Sequence, residues 1–175
     1  TLYMTHYSNS SFVINYLMRL EPFTNMHIGL QSGRFDGPDR LMKSVSESWK
    51  SASGTPPTGT QAYQDLRELI PEWYNGPATF LKNENRFQLG TTQAGVHVNH
   101  VVTPPWSRHG AAPEYEFMRL HRLALESEHV SRHLHLWIDL IFGFRQTGKE
   151  AEEALNIFHP VTYEGVVDID GIENN

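Results

Sequence analysis

Apolar residues recur at helical spacing over some stretches of this chain and lose all period over others, and that alternation gives its outline. Ser8-Asn9-Ser10-Ser11 offers N-cap side chains, and Phe12, Val13, Tyr16, Leu17 and Leu20 then fall on one helical face. The spacing predicts a helix from about Ser10 to Leu20, stopped by Pro22. Asn25 to Phe35 keeps no period and reads as an extended or irregular connection. Asp36-Gly37-Pro38-Asp39 reads as a helix start, with Asp36 as cap and Pro38 in the first turn. Leu41, Met42, Val45 and Trp49 form one apolar stripe on the helix that follows. Lys50 to Gln61, rich in Ser, Gly, Pro and Thr, reads as a mobile surface loop without a core residue. Tyr63, Leu66, Leu69 and Ile70 predict a short helix ended by Pro71, and Pro77 to Asn83 predicts another.

Farther on, Asn85 to Pro105 holds Gly90, Gly95 and a Val96/Val98 alternation, which predicts a small hairpin. Pro104-Pro105-Trp106 continues neither regular structure. The strongest signal runs from Ala112 to Phe144. Phe117, Leu120, Leu123 and Ala124 make one apolar face, and Val130, Leu134, Trp137, Ile138 and Ile141 make a second. The run exceeds the usual helix length, so a break is expected near Ser127. Leu136, Leu140 and Phe142 fill the other faces of the second half, which predicts a centrally buried helix with Gly143 as its C-cap. Glu150 to Ile157 predicts a short helix, and Pro160 to Asn175 reads as irregular. Neither a repeat nor an internal linker is visible, so the expectation is one domain over 1–175, mainly α with extended irregular segments.

Composition narrows the function classes. Hydrophobic residues make up 39% and aromatics 11% of 175 residues, enough for a real core and against global disorder. A net charge of −6 leaves no basic footprint for nucleic acid and little bulk attraction for anionic lipid. The absence of cysteine excludes a disulfide scaffold and any Cys-based zinc site. A membrane span needs about 20 apolar residues, and the richest run, Leu134 to Phe144, is interrupted by His135 and Asp139. The opening Thr1-Leu2-Tyr3-Met4 has neither a basic n-region nor a following apolar h-region, and the chain reads as an excerpt of something longer.

A set of short motifs stands in a fixed order. Tyr7-Ser8 follows His6; then come Leu20-Glu21-Pro22-Phe23-Thr24, Gly33-Arg34-Phe35-Asp36 and Glu68-Leu69-Ile70-Pro71-Glu72. Pro104-Pro105-Trp106, Leu125-Glu126-Ser127-Glu128, Trp137-Ile138-Asp139-Leu140-Ile141-Phe142-Gly143 and Thr162-Tyr163-Glu164-Gly165 complete the set. In this order and spacing the chain resembles the BEACH domain of the neurobeachin and lysosomal trafficking regulator family, from a point partway into that domain. Residues 51–62 look like an insertion, and Phe158-His159-Pro160 stands where the family tends to carry aromatics. The resemblance implies a BEACH fold, mostly helical with extended segments that lack regular pairing. It implies no enzymatic activity and no cofactor. It also implies a cytoplasmic scaffold, peripherally and indirectly associated with intracellular membranes, in vesicle traffic, lysosome-related organelles or autophagy. Its implied partners are trafficking proteins and a pleckstrin-like domain upstream in the same protein, with WD40 repeats following.

Candidate chemistry is sparse. His129 and His133 stand at i and i+4, the spacing that puts two imidazoles on one helix face, and His135 and Asp139 repeat it. Glu126 and Glu128 are nearby, but Glu128 precedes His129 and no HExxH arrangement exists. A metal-dependent hydrolase on His129, His133 and a nearby carboxylate is the alternative from another class. No Gly-x-Ser-x-Gly elbow and no phosphate-binding glycine loop occurs, so neither a catalytic nor a metal residue is assigned. Asp139 sits inside an apolar run, where an unpaired charge costs several kcal/mol, so it is expected to pair. Arg34, Arg19 and Arg122 are candidates, and a structural ion pair of Arg34 with Asp139 is the preferred one. Asp139, Glu21 and Glu164 are expected to be buried and bonded to arginine or to backbone that no ladder satisfies. A partner surface is expected at the motif residues Glu21, Asp36, Tyr163 and Glu164. Tyr163 has a second reading, in which it ties down the C-terminal segment.

Overall fold

Regular structure in this protein is short, and much of its core comes from segments with no regular structure. The computed structural model describes residues 10–55, 67–158, 163 and 165–166. The chain divides into two compact units, one of Ser8–Leu125 and one of Thr1–Tyr7 with Glu126–Asn175. The larger unit contains α1 (Ser10–Leu17), α2 (Phe23–Leu30), α3 (Val45–Ala52), α4 (Glu72–Asn75) and α5 (Pro113–Leu125), with 3-10 turns at Ala78–Leu81 and Pro105–Ser107. The smaller contains α6 (Glu128–Ile141), a 3-10 turn at Phe144–Gln146 and α7 (Gly148–Glu153). Extended segments among the described residues meet only at single bridges, Ser44 with Val102 and Thr91 with His97.

In the larger unit, Trp73 anchors the main core cluster. It packs edge-on against Tyr16, Phe80 and Phe117, at ring-centroid distances of 5.5, 5.0 and 6.0 Å. Met42, Ile70 and Val101 join that cluster from irregular segments. A second cluster holds Met18, Leu41, Leu89 and Val98, with Phe35 and Phe87 against it. All four of those buried residues lie outside helices and strands, Met18 following directly on α1. The extended segments are therefore core walls.

Several expectations are corrected here. Asn25 to Phe35 is not an irregular connection, because α2 covers its first half. The buried residues of α2 are Thr24 and His27, both polar, so no hydrophobic period marks the helix. Asp36 does not cap a helix over Leu41–Trp49. Residues 41–44 are not helical, Ser44 is the N-cap of α3 and accepts from Glu47 N–H at 3.3 Å, and Trp49 is 73% exposed. Asp36 instead accepts from the Gly37 N–H at 2.7 Å and pairs with Arg40. Pro71 does not end a helix: residues 67–70 are not helical, and Pro71 precedes α4 as its N-cap. Tyr63 and Leu66 of that expectation lie outside the described residues, as does the second half of the loop placed at Lys50 to Gln61, whose first residues belong to α3.

Another expectation matches. The long helical run breaks where Ser127 caps α6, accepting from Val130 N–H at 3.3 Å. The C-cap of α6 is Phe142 rather than the expected Gly143, which follows it and donates its N–H to Ile138 O at 3.1 Å. Central burial of α6 is not found: it has no fully buried residue, and Leu134, Leu136, Trp137 and Ile138 are all 40% exposed or more. Among the described residues of its own unit α6 packs against the 3-10 turn Phe144–Gln146, which is too small to cover a helix apolar on most faces. Pro160 to Asn175 falls almost wholly outside the described residues.

One tight approach sets the relation of two extended segments. Gly90 has φ +85°, and a Cβ there would stand 2.7 Å from Pro38 Cγ. An alanine would take on both left-handed strain and a clash with a rigid ring. Gly90→Ala is expected to cost about 2 kcal/mol, read as a lower urea midpoint at an unchanged slope.

Candidate functional site

Asn83 closes the most elaborate polar arrangement in the larger unit. Its side-chain N–H groups donate to Phe87 O (2.9 Å) and Asn99 Oδ1 (3.0 Å), and its Oδ1 accepts from Phe87 N–H at 2.9 Å. Its own backbone N–H donates to His100 Nδ1 at 2.9 Å, which leaves the neutral ring's hydrogen on Nε2. This one buried amide fixes the turn 83–87 to the extended strip 97–100 without a ladder. The two define an open cleft of about 580 Å³, lined by Lys82, Glu84, Arg86, Phe87, Gln88, His97 and His100 as well as Asn83 and Asn99.

Arg19 lies behind this wall with no exposed surface. Its Nε donates to Asn99 O (3.0 Å) and its Nη2 to Met42 O (2.8 Å), while Nη1 has no partner. Burial alone pulls its pKa down to about 10, still far above neutrality, so the guanidinium remains a cation. No carboxylate pairs with it among the described residues. Thr24 plays a similar part at the α1–α2 corner, its hydroxyl donating to Met18 O at 2.8 Å. Side-chain donors of Arg19, Asn83 and Thr24 thus bind the carbonyls of irregular backbone, whereas the expectation from sequence is that carboxylates such as Glu21 hold its N–H groups. Glu21 is exposed and accepts from Asn25 Nδ2 at 2.9 Å. Its burial is unneeded, because the corner amides of Thr24 and Met26 already donate to Leu20 O and Pro22 O.

The remaining expected site residues scatter. Arg34 is exposed in the larger unit and Asp139 half-buried in the smaller. Asp139 packs against Gly143, where a Cβ would stand 2.8 Å from its Oδ1. Tyr163 Oη accepts from Phe158 N–H at 3.0 Å, a contact that ties the two segments together. Glu164 lies outside the described residues. His129 and His133 are exposed with ring centroids 4.6 Å apart, and His133 Nδ1 is 2.6 Å from His129 O. That contact occupies one ring nitrogen, and no group of three or more potential ligands forms among the described residues. Nothing in this geometry favours the hydrolase alternative. No helix among the described residues is long and apolar enough to cross a membrane.

Two histidines couple this unit to pH. His27 is buried against Phe35 (5.7 Å) and accepts from Asp36 N–H at 3.3 Å. Burial lowers its pKa, with Asp36 acting against the shift. His121 stacks on Phe117 (5.5 Å), and burial followed by the Arg122 charge lowers its pKa. Both are held neutral in the fold, while the unfolded chain takes up protons near 6.5. Their contribution is therefore full above pH 6.5 and is lost as pH falls below it. Thermal scans are expected to show the melting temperature dropping below that pH, with a shallower drop in a His27→Gln, His121→Gln variant.

Asn83, Asn99 and Arg86 were not apparent from the sequence. The polar run Asn83-Glu84-Asn85-Arg86 between Leu81 and Phe87 signals a turn and nothing more. Arg19 carried a usable signal, a charge between Met18 and Leu20 in an apolar helical run.

Comparison with known proteins agrees with the motifs. The Beige/BEACH domain family matches residues 1–175. The chain is 48% identical over 170 residues to BEACH domain-containing protein A2 of Arabidopsis thaliana, covering 97% of this chain and 5% of that protein. It is also 48% identical over 170 residues to Protein SPIRRIG of Arabidopsis thaliana, covering 97% of this chain and 4% of that relative. The chain thus spans about one-twentieth of the length of the relatives it matches. With the motifs in order, a mainly helical fold with extended core segments and a match over its full length, this chain belongs to the BEACH domain family.

Proposed function

We propose that this chain is a protein-interaction module of a much larger protein, that it catalyses no reaction, and that the larger protein acts in vesicle traffic, lysosome-related organelle biology or autophagy. The observation that carries the reading is the family match over all of 1–175. Its site supports the same reading. The cleft presents amides, imidazoles and one guanidinium, held by buried side chains, and no nucleophile with an adjacent base. Such a surface binds. The module works in the cytoplasm, at membranes only through its partners, because an acidic chain gains little from anionic lipid. One partner is the pleckstrin-like domain that the family carries upstream, and Glu21, Asp36, Tyr163 and Glu164 are candidate contacts. Arg34 and Asp139 remain the proposed structural ion pair.

Calorimetry tests the reading. The folded chain is titrated with that pleckstrin-like domain, and metal is assayed on the same sample. Saturable binding without bound metal is expected. No binding by a folded sample, or stoichiometric zinc, would overturn the scaffold role and reopen His129 and His133.

A further inference from the structure

Arg86 is exposed at the cleft, stands at φ +56° and makes no ion pair among the described residues. A non-glycine residue in the left-handed region is strained, and such strain persists only where neighbours enforce it. Here the neighbour is Asn83, whose carbonyl accepts from Arg86 N–H (3.3 Å) and whose side chain holds Phe87 at both its N–H and its carbonyl. The turn therefore presents a long cation where asparagine or glycine would sit with less strain. Nothing among the described residues pairs with that cation.

The charges around it are uneven. Lys82 is committed to Glu84 at 2.8 Å, with Glu114 also acting on it. Arg86 is left uncompensated among the described residues, and Arg19, a second cation without a carboxylate partner there, is bonded to the cleft residue Asn99. His100 adds an Nε2–H donor. The cleft thus offers an unpaired guanidinium and an imidazole N–H as donors. Its walls are also extended backbone: the amides of Gln88, His97 and Asn99 make no hydrogen bond among the described residues. Open amides along an extended strip suit another extended chain, which can pair with them as a strand pairs with a sheet edge.

We propose that this cleft docks an extended segment of a partner protein carrying an acidic side chain, which Arg86 receives. The inference rests on the interaction reading and names the chemistry of one partner. A carboxylate or a phosphate serves equally, since both accept two parallel N–H bonds from a guanidinium.

Fluorescence anisotropy with the whole chain tests it. The probes are a short labelled Glu/Val peptide, its Gln/Val counterpart, the Glu/Val peptide with one phosphoserine, and phosphatidylcholine vesicles containing phosphatidylserine. The acidic peptides are expected to bind at least about tenfold tighter than the Gln/Val peptide, an advantage that salt weakens. Comparison of the two acidic probes tells a carboxylate site from a phosphate site. Arg86→Asn is expected to remove the preference while melting at the same or a higher temperature, because asparagine accepts the left-handed turn. An acidic preference that survives Arg86→Asn would overturn the proposal, as would equal binding of the acidic and Gln/Val peptides. So would Arg86-dependent vesicle binding without peptide binding. If the acidic peptides fail while the pleckstrin-like domain still binds, this site alone is wrong. If both fail with a folded sample, the interaction reading falls with it.

Discussion

Arg19→Ala is expected to destabilise the larger unit by about 3–5 kcal/mol, enough to leave a marginal domain largely unfolded. Three effects add and one offsets them. The long side chain has no exposed surface, so its loss leaves a cavity. Met42 O, in a buried bond, loses its donor, and a buried carbonyl left unsatisfied costs about 1–3 kcal/mol, while the part-buried Asn99 O loses its donor as well. Two core segments far apart in sequence lose a common tie. Against this, the fold no longer keeps a cation out of water without a carboxylate partner. Arg19→Met separates the terms, since it keeps most of the volume and discards the charge. It is expected to cost less than half as much as the alanine change. Urea denaturation of both variants checks the order; an alanine variant within about 1 kcal/mol of the parent would show that Arg19 ties nothing together.

Trp73→Ala is expected to cost a similar amount, about 3–5 kcal/mol, for a different reason. Trp73 is 3% exposed and touches α1, the Ala78–Leu81 turn and α5 through Tyr16, Phe80 and Phe117. Its removal opens the centre of the main cluster and forfeits edge-to-face contacts worth about 0.5–1.5 kcal/mol each. Trp73→Phe should retain more than half of the stability lost in the alanine variant. It keeps an aromatic ring there, and the indole N–H it discards has no hydrogen-bond partner. Intrinsic fluorescence and thermal melting together read both changes. Equal losses for phenylalanine and alanine would argue against a packing role.

The helices that could be read from the sequence are those with an apolar stripe. The run from Ala112 to Phe144 and its break at Ser127 were visible because Phe117, Leu134 and Ile138 keep the helical period and Ser127 is a natural cap. α2 was hidden because its buried face is Thr24 and His27, whose burial depends on a hydroxyl bond to Met18 O and an imidazole bond to Asp36 N–H. The same physics hid the site. Asn83, Asn99 and Arg19 matter through contacts across 16, 80 and 23 positions, and a polar residue that will be buried looks like one that will be solvated. The family was legible because its motifs are short and ordered. Of the acids in them, Glu21 is an exposed group bonded to nearby Asn25, and Asp36 pairs locally with Arg40.

Amide hydrogen exchange on the parent chain tests most directly whether irregular segments form the rigid wall of a binding surface. Val98 donates to Gly90 O (2.9 Å), Val101 to Leu81 O (2.7 Å), Val102 to Lys43 O (2.8 Å) and Asn83 to His100 Nδ1 (2.9 Å), all outside helices and named strands. If buried polar side chains hold these segments as firmly as a ladder would, their amides will exchange as slowly as those in the buried turns of α5, opening only with the whole unit. If they exchange at the rate of open loops while α5 stays protected, the cleft is not preformed and its walls do not belong to the core.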